Sequence, residues 1–478
     1  MIGTTNGDMR TRDGEDFART LARFACSLEW ESFNPLTTRA VRSNLFDTLA
    51  CTLAGSGAQG VAELHALAKE WGGAPQASIL VHGDRVPAHH AALVNSTMAH
   101  ARDYDDTHDA ATLHAGVSVV PAALAAAQLR TGVSGAEFGA SLAAGLEAVC
   151  RLGLATTVSI TDSGFMYTAL FGYFAATVAA GRVLRLDEQQ MVNALGIVYS
   201  QAGGNLQVSR DDALTKRMQP GFAAMAGVIS ARMAQHGIRG PQSTFEGTDG
   251  LFRVYLNNQY DPDRLRKDLG QQFEFLRLSY KPYPCCRFCH STIDAALALR
   301  PELAGKMDRI RHLSVAVNRL TYEVVCTPVP VRQTPTTIVQ AQFSIPFTLA
   351  TALLDGTVGL KHFDEAALSR QDIMGLARKV ETRVDENIEQ QWTRQASPSV
   401  VTVELDDGTV YHKRVEQALG HPDKPMSTKA FDEKAIDCLR SASKPLAADV
   451  VQTLRKMVDQ LEGLEDVDII PKTLVAVG

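Results

Sequence analysis

The sequence predicts a mainly α-helical protein: a large all-helical domain built from both chain ends, with a smaller α+β domain between them. Three observations carry this. Up to about Phe273, apolar residues recur at helical spacing and Ala and Gly crowd the helix faces, with no βαβ alternation and no Gly-rich phosphate loop. From there to Gln417, stretches of strand-like alternation appear. After Ser427 helical periodicity returns, and the simplest chain path brings that segment back to the first domain. The expected boundaries are 14–276 and 418–478 for the helical domain and 277–417 for the α+β domain.

Taken in order, the first thirteen residues are polar and read as disordered. Two helices follow, in DFARTLARFACSL and TTRAVRSNLFDTLACTLAG. ASILVHGDRVPA reads as a short hairpin turning at Gly83-Asp84, and a helix then runs from about Ala88 to His100. Ser134-Gly-Ala-Glu137 has the spacing of a capping box for a helix through Leu154. Phe165 to Val183 reads as a helix dense in small residues, and Asp187 with Gln190 caps the next one. Gly203-Gly204 interrupts the pattern before GFAAMAGVISARMAQHG resumes it. Beyond, FEFLRLSYKPYP, RHLSVAVNRLTYEVV and KVETRVDE read as strands. CHSTIDAALALR and FSIPFTLATALLDG read as helices, and VTVELDDGTVYHKRVE as a hairpin turning at Asp407-Gly408.

Composition narrows the function. At 478 residues the chain buries a large core, and 45% hydrophobic with 21% charged residues is ordinary for a globular protein. A net charge of -6 and no large basic cluster argue against nucleic acid as a partner. The N-terminus lacks a signal-peptide apolar core and no uninterrupted apolar run reaches transmembrane length, so no membrane and a cytoplasmic location are expected. Most of the eight cysteines lie singly in apolar helical runs, which fits a reducing compartment without structural disulfides.

Three polar hubs interrupt this pattern. The stretch from Ser96 to Pro121 holds His100, His108 and His114 with Asp103, Asp105, Asp106 and Asp109 between apolar helices. Buried charge is costly unless paired, so such a cluster forms a network or does chemistry, or else it is a capping loop. Lys216 and Arg217 precede Pro220 near a helix start, where they suit an anion shared with backbone amides or form a solvated pair. Tyr280 to His290 offers Lys281, Arg287 and His290, a cationic set suited to a di- or tricarboxylate. Cys286-Arg-Phe-Cys289-His290 formally matches a haem attachment site, but the chain shows no export signal and no second cysteine pair. The histidines of the first hub lack metal-ligand spacing. No metal and no cofactor are expected.

In this order the motifs resemble the MmgE/PrpD family. They are His100-Ala-Arg-Asp103-Tyr-Asp-Asp106-Thr107, His114, Thr215-Lys216-Arg217 with Gly221, Lys281-Pro-Tyr-Pro284 and His290-Ser-Thr-Ile-Asp294. Phe343-Ser344 with Leu354-Asp355-Gly356, and Gly420-His-Pro422 with Pro425-Met-Ser427, complete the set. The resemblance implies a helical domain from both chain ends, an α+β lid, a homodimer and metal-independent lyase chemistry on a small di- or tricarboxylate. The family includes dehydratases, decarboxylases and an epimerase, so isomerisation or plain carboxylate binding is the alternative. By match to its motifs, Asp103, Thr107, His114, Lys216 and Lys281 would be site residues. His114, Asp103 and Lys281 would be catalytic, and Thr107, Lys216, Arg217, Arg287 and His290 would contact substrate, with a structural hydrogen bond the alternative for His290. The chain departs from the family pattern at Met166, where a histidine is usual, and at Gln219. Tyr167 is a candidate replacement proton donor.

Overall fold

The computed structural model describes residues 14–476 except 394 and 397, so the segment read as disordered lies outside the described residues. The protein is mainly helical with a small sheet. Helix α1 (Phe17–Ser27) starts at Asp16 and α2 (Pro35–Gly55) at Asn34, whose side chains accept the first free backbone N–H groups. Then come the β1 (Ala77–Ser78) and β2 (Arg85–Val86) hairpin and α3 (Ala88–His100). The hairpin turns through Gly83 in the left-handed region, as its sequence predicts. Three further helices are α4 (Gly116–Ala127), α5 (Gly135–Ala155) and α6 (Tyr167–Val183). Helix α7 (Glu188–Tyr199) carries the Asp187–Gln190 capping box, and α8 (Thr215–Gln235) closes the set. Ser134 caps α5, but Glu137 does not complete a box; its carboxylate pairs with Arg130 and Arg185 instead.

Helix α8 packs against α3 and α6, and the small residues make that approach possible. A Cβ at Gly221 would lie 2.5 Å from Thr97 Oγ1 and 2.6 Å from the Leu93 carbonyl oxygen. This close crossing brings the first turn of α8, with Lys216, beside the last turn of α3, with His100. Helix α5 is long and apolar enough to cross a membrane by length and composition alone. Of that window 94% is buried inside the protein, and the helix holds the buried pair Glu147–Arg151 at 2.6 Å.

The mixed sheet contains β5 (Ile310–Val317), β6 (Val380–Val384), β7 (Ser399–Leu405) and β8 (Val410–Val415) in the order β6-β5-β7-β8. β5 runs parallel to β6 and antiparallel to β7, and the β7–β8 hairpin turns at Asp407-Gly408. Alternate residues of β7 are buried. Helix α9 (His290–Leu299) packs on β7 and β8 and against α10 (Ile345–Asp355). Two strand expectations need correction. Around Phe273 only β4 (Leu278–Ser279) is a strand, and residues 274–277 form a 3-10 turn. β5 stops at Val317 because the Asn318 side chain accepts the Thr321 N–H and starts a helix over Arg319–Val325.

Two long-range ties position the polar loops. β3 (Thr107–His108) pairs antiparallel with β4, joining the Asp-rich loop to the Lys281 hub. The C-terminal helices α11 (Thr428–Arg440) and α12 (Val450–Asp459) pack on α2. Buried Lys434 on α11 sits 2.6 Å from Asp47 on α2 and donates to the Tyr104 carbonyl at 2.7 Å. Burial pushes the Asp47 carboxyl up to about 6 despite the lysine. Removing one partner leaves a buried charge unmatched. Lys434→Ala is therefore expected to lower unfolding stability by about 3–5 kcal/mol in urea titration. Lys434→Met combined with Asp47→Leu should recover most of it. A loss under about 1 kcal/mol, as for a surface pair, would contradict this role.

Candidate active site

A cavity of about 660 Å³ opens between α3, α8 and the loops of both chain halves. Asp103, Thr107, His114, Lys216, Lys281 and Arg287 all line it, with His100, Met166, Arg332 and Phe343. The centre is Asp103, a non-glycine residue held in the left-handed backbone region (φ 52) just after α3. Its carboxylate takes Lys281 Nζ at 2.6 Å and Lys216 Nζ at 3.7 Å, and Lys281 also donates to the Asp103 carbonyl at 2.9 Å. Burial would raise the Asp103 carboxyl, but Lys216 and Lys281, with His114 and His100, together hold it far below the usual range. Burial opposes the charge on Lys281, and Asp103 and Asp105 outweigh it, keeping the ammonium protonated.

Behind this pair lies a second shared carboxylate. Asp105 Oδ2 is 2.9 Å from His100 Nδ1 and 2.7 Å from His114 Nδ1. The His100 contact is a hydrogen bond; the His114 contact is short but off the N–H direction. The two rings meet edge to face at 4.7 Å. Burial lowers His100 to about 4, more than Asp105 restores. His100 is thus neutral near pH 7, with Nδ1–H on Asp105 and Nε2 accepting toward Lys216 Nζ at 3.5 Å. His114, 15% exposed, keeps Nε2 for the cavity, and its backbone N–H donates to Thr168 Oγ1 at 3.1 Å. Asp106 faces away and accepts the N–H groups of Ala115 and Gly116 at the start of α4, which sets the position of His114.

His100, Asp105 and His114 offer three ligand atoms within 4.8 Å of one another, which a metal could share. Both rings turn Nδ1 to one oxygen, however, and an ammonium stands beside His100 Nε2. That arrangement suits proton sharing and repels a cation.

The remaining sequence candidates are held by other partners. Arg287 lines the cavity, but its Nε lies 3.2 Å from both Asp109 oxygens and Nη1 donates to Leu419. Thr107 donates to the same Asp109 at 3.0 Å. His290 is outside the lining, with Nε2 on the Cys285 carbonyl at 3.2 Å, and burial with Arg287 and Lys281 drives it well below its usual range. Its contacts match the structural alternative. Arg217 also lies outside the lining and donates to Gln59 at 2.9 Å. The Tyr167 hydroxyl donates to Val158 at 2.8 Å, away from the cavity, so its ring does not replace the histidine absent at Met166. The sequence analysis names Asp105 in the first hub but not among the site residues. The available signal was its place in the polar run between His100 and His114.

Comparison with known proteins agrees across the chain. Residues 19–263 match the family model for the MmgE/PrpD N-terminal domain and residues 283–460 that for the C-terminal domain. A cis-aconitate decarboxylase of Aspergillus terreus is 28% identical over 360 residues, covering 72% of this chain and 73% of that protein. The human cis-aconitate decarboxylase is 28% identical over 407 residues, with 82% and 80% covered. A cis-aconitate decarboxylase-like protein of Aspergillus oryzae is 26% identical over 442 residues, with 88% and 90% covered.

The neutral state of His100 is testable by NMR of the histidine ring carbons. The signal lost in His100→Gln should keep its neutral shift from about pH 8 down to about pH 5. A midpoint near the ordinary value of 6.5 would contradict the network.

Proposed function

The chain belongs to the MmgE/PrpD family, and on that premise we propose that it is a lyase acting on a small di- or tricarboxylate by proton transfer at a carbon next to a carboxylate. The observation that carries the reading is the meeting of His114, oriented by Asp105, with two lysines that share the single carboxylate of Asp103. Lys216 and Lys281 both line the cavity, whereas Asp105, the second carboxylate, lies outside the lining and turns to the histidines, so the face presented to a ligand favours an anion.

The relatives' names make cis-aconitate the first substrate to try. In decarboxylation the bond to the departing carboxylate breaks and carbon dioxide leaves. The electron pair spreads into the neighbouring unsaturated carboxylate, where Lys216 and Lys281 stabilise it, and a proton from His114 Nε2 quenches the carbon. No metal is needed in this reading, because the lysines supply the positive charge.

Met166 on the cavity wall favours a second reading. With a thioether where the family has a histidine, dehydration of a hydroxy acid becomes the competitor. There His114 takes the α-proton, and the hydroxyl group leaves as water with a proton from Lys216 on the same wall.

Incubation with cis-aconitate and with 2-methylcitrate in deuterated water separates the readings. Decarboxylation releases carbon dioxide and puts one deuterium on the product; dehydration gives an alkene with no loss of carbon. Deuterium exchange without net reaction would indicate epimerase chemistry, and no turnover or exchange would contradict an enzyme of this class. His114→Gln is expected to lower turnover by about a hundredfold or more with the fold intact. Near-normal turnover would remove His114 from the mechanism.

A further inference from the structure

The walls of the cavity differ in how their cations are matched. Lys216 and Lys281 share Asp103, and Arg287 is paired with Asp109. Arg332, on the short helix Val329–Gln333, lines the same cavity and is half-buried. Its Nε donates to the Thr327 carbonyl at 2.9 Å and Nη2 to the Val324 carbonyl at 3.2 Å. These acceptors lie at the end of the helix Arg319–Val325 and fix the guanidinium in place without neutralising it. Among the described residues no carboxylate lies within ion-pair range of Arg332. Asp212 and Glu323 line the same cavity, but neither pairs with it, and Asp212 Oδ2 accepts from Gln340 at 2.6 Å.

A half-buried guanidinium held by carbonyls, with Asp212 acting on it only from beyond ion-pair range, suits an anion arriving from the cavity. Arg332 shares no hydrogen bond or ion pair with the histidine-lysine group among the described residues. Phe343 stands on the wall with Arg332, joined through the hydrogen bond from the Ser344 hydroxyl to the Arg332 carbonyl, and the Phe343 ring faces Lys216 Nζ at 4.9 Å. Val324, Pro328 and Val331 add apolar surface to the same cavity.

We infer that Arg332 anchors a second carboxylate of the substrate, while the first lies at Lys216 beside His114. The inference rests on the carboxylate-site reading above and deepens it. The site selects polycarboxylates over monocarboxylates, and Arg332 makes that selection.

Calorimetric titration of the full chain with tricarballylate, glutarate and butyrate tests this, since these saturated acids carry three, two and one carboxylate. Arg332→Gln should weaken tricarballylate and glutarate by about tenfold or more and leave butyrate unchanged. Arg332→Lys should weaken the same two acids by less, because lysine keeps the charge and loses the planar fork. Equal weakening of all three acids, or of none, in Arg332→Gln overturns the inference. If Arg332→Gln fails to fold by circular dichroism, Arg332→Lys decides: selective weakening of the polyacids supports the anchor, and unchanged affinity overturns it. Lys216→Gln is the companion variant. If it weakens all three acids while Arg332→Gln weakens none, the carboxylate site stands and the Arg332 assignment alone fails. If neither variant matters, both fail.

Discussion

The site depends on one buried carboxylate shared by two lysines. Asp103 carries Lys281 at 2.6 Å and Lys216 at 3.7 Å from a left-handed backbone position after α3. Each partner arrives from a different part of the chain, and each arrival needs its own structural device. β3–β4 pairing brings Lys281; the close crossing at Gly221 brings Lys216. On the far side, Lys434 from the C-terminal helix α11 grips the Tyr104 carbonyl, one residue from Asp103. Segments remote in sequence thus converge on one short loop. Both ammonium groups reach the cavity lining while the second carboxylate, Asp105, stays behind it with the histidines, and that exposure of the cations is the physical basis for a carboxylate ligand.

The helices were legible because their signals are local. Asp16, Asn34, Ser134, Asp187 and Ser427 all cap helices as their side chains allow, and apolar spacing marks the buried faces. The hairpins at Gly83 and Gly408 were legible for the same reason. Strand ends were not. Leu320 and Val325 continue the apolar pattern of β5, yet Asn318 turns the chain into a helix, and alternation alone does not reveal that switch. The strand-like run before Lys281 shrank to two residues because the strand it pairs with among the described residues is the two-residue β3.

In the site, the motifs gave residue types and left out partners. Lys281, Lys216, Asp103 and His114 do share one cavity. Arg287 and Thr107 belong to the set around Asp109, and His290 and Arg217 bond to backbone outside the lining. A cationic residue in a polar hub does not announce whether a neighbouring carboxylate or carbonyl already holds it; that is a three-dimensional property. Asp105 shows the converse. It looks like a turn residue in sequence and holds two histidine rings in the fold. Arg332 lies outside every hub, in a segment the sequence marked only by prolines.

The shared carboxylate itself is tested most directly by Asp103→Asn, followed by urea unfolding with and without saturating tricarballylate. Without ligand, the substitution should lower stability by about 3–5 kcal/mol, since buried Lys281 loses the carboxylate in direct contact with it and keeps only the more remote Asp105. With tricarballylate, the gap to the wild type should narrow, because a ligand carboxylate takes up the charge that Asp103 gave up. A variant as stable as the wild type, or a gap that the ligand leaves unchanged, would contradict the account.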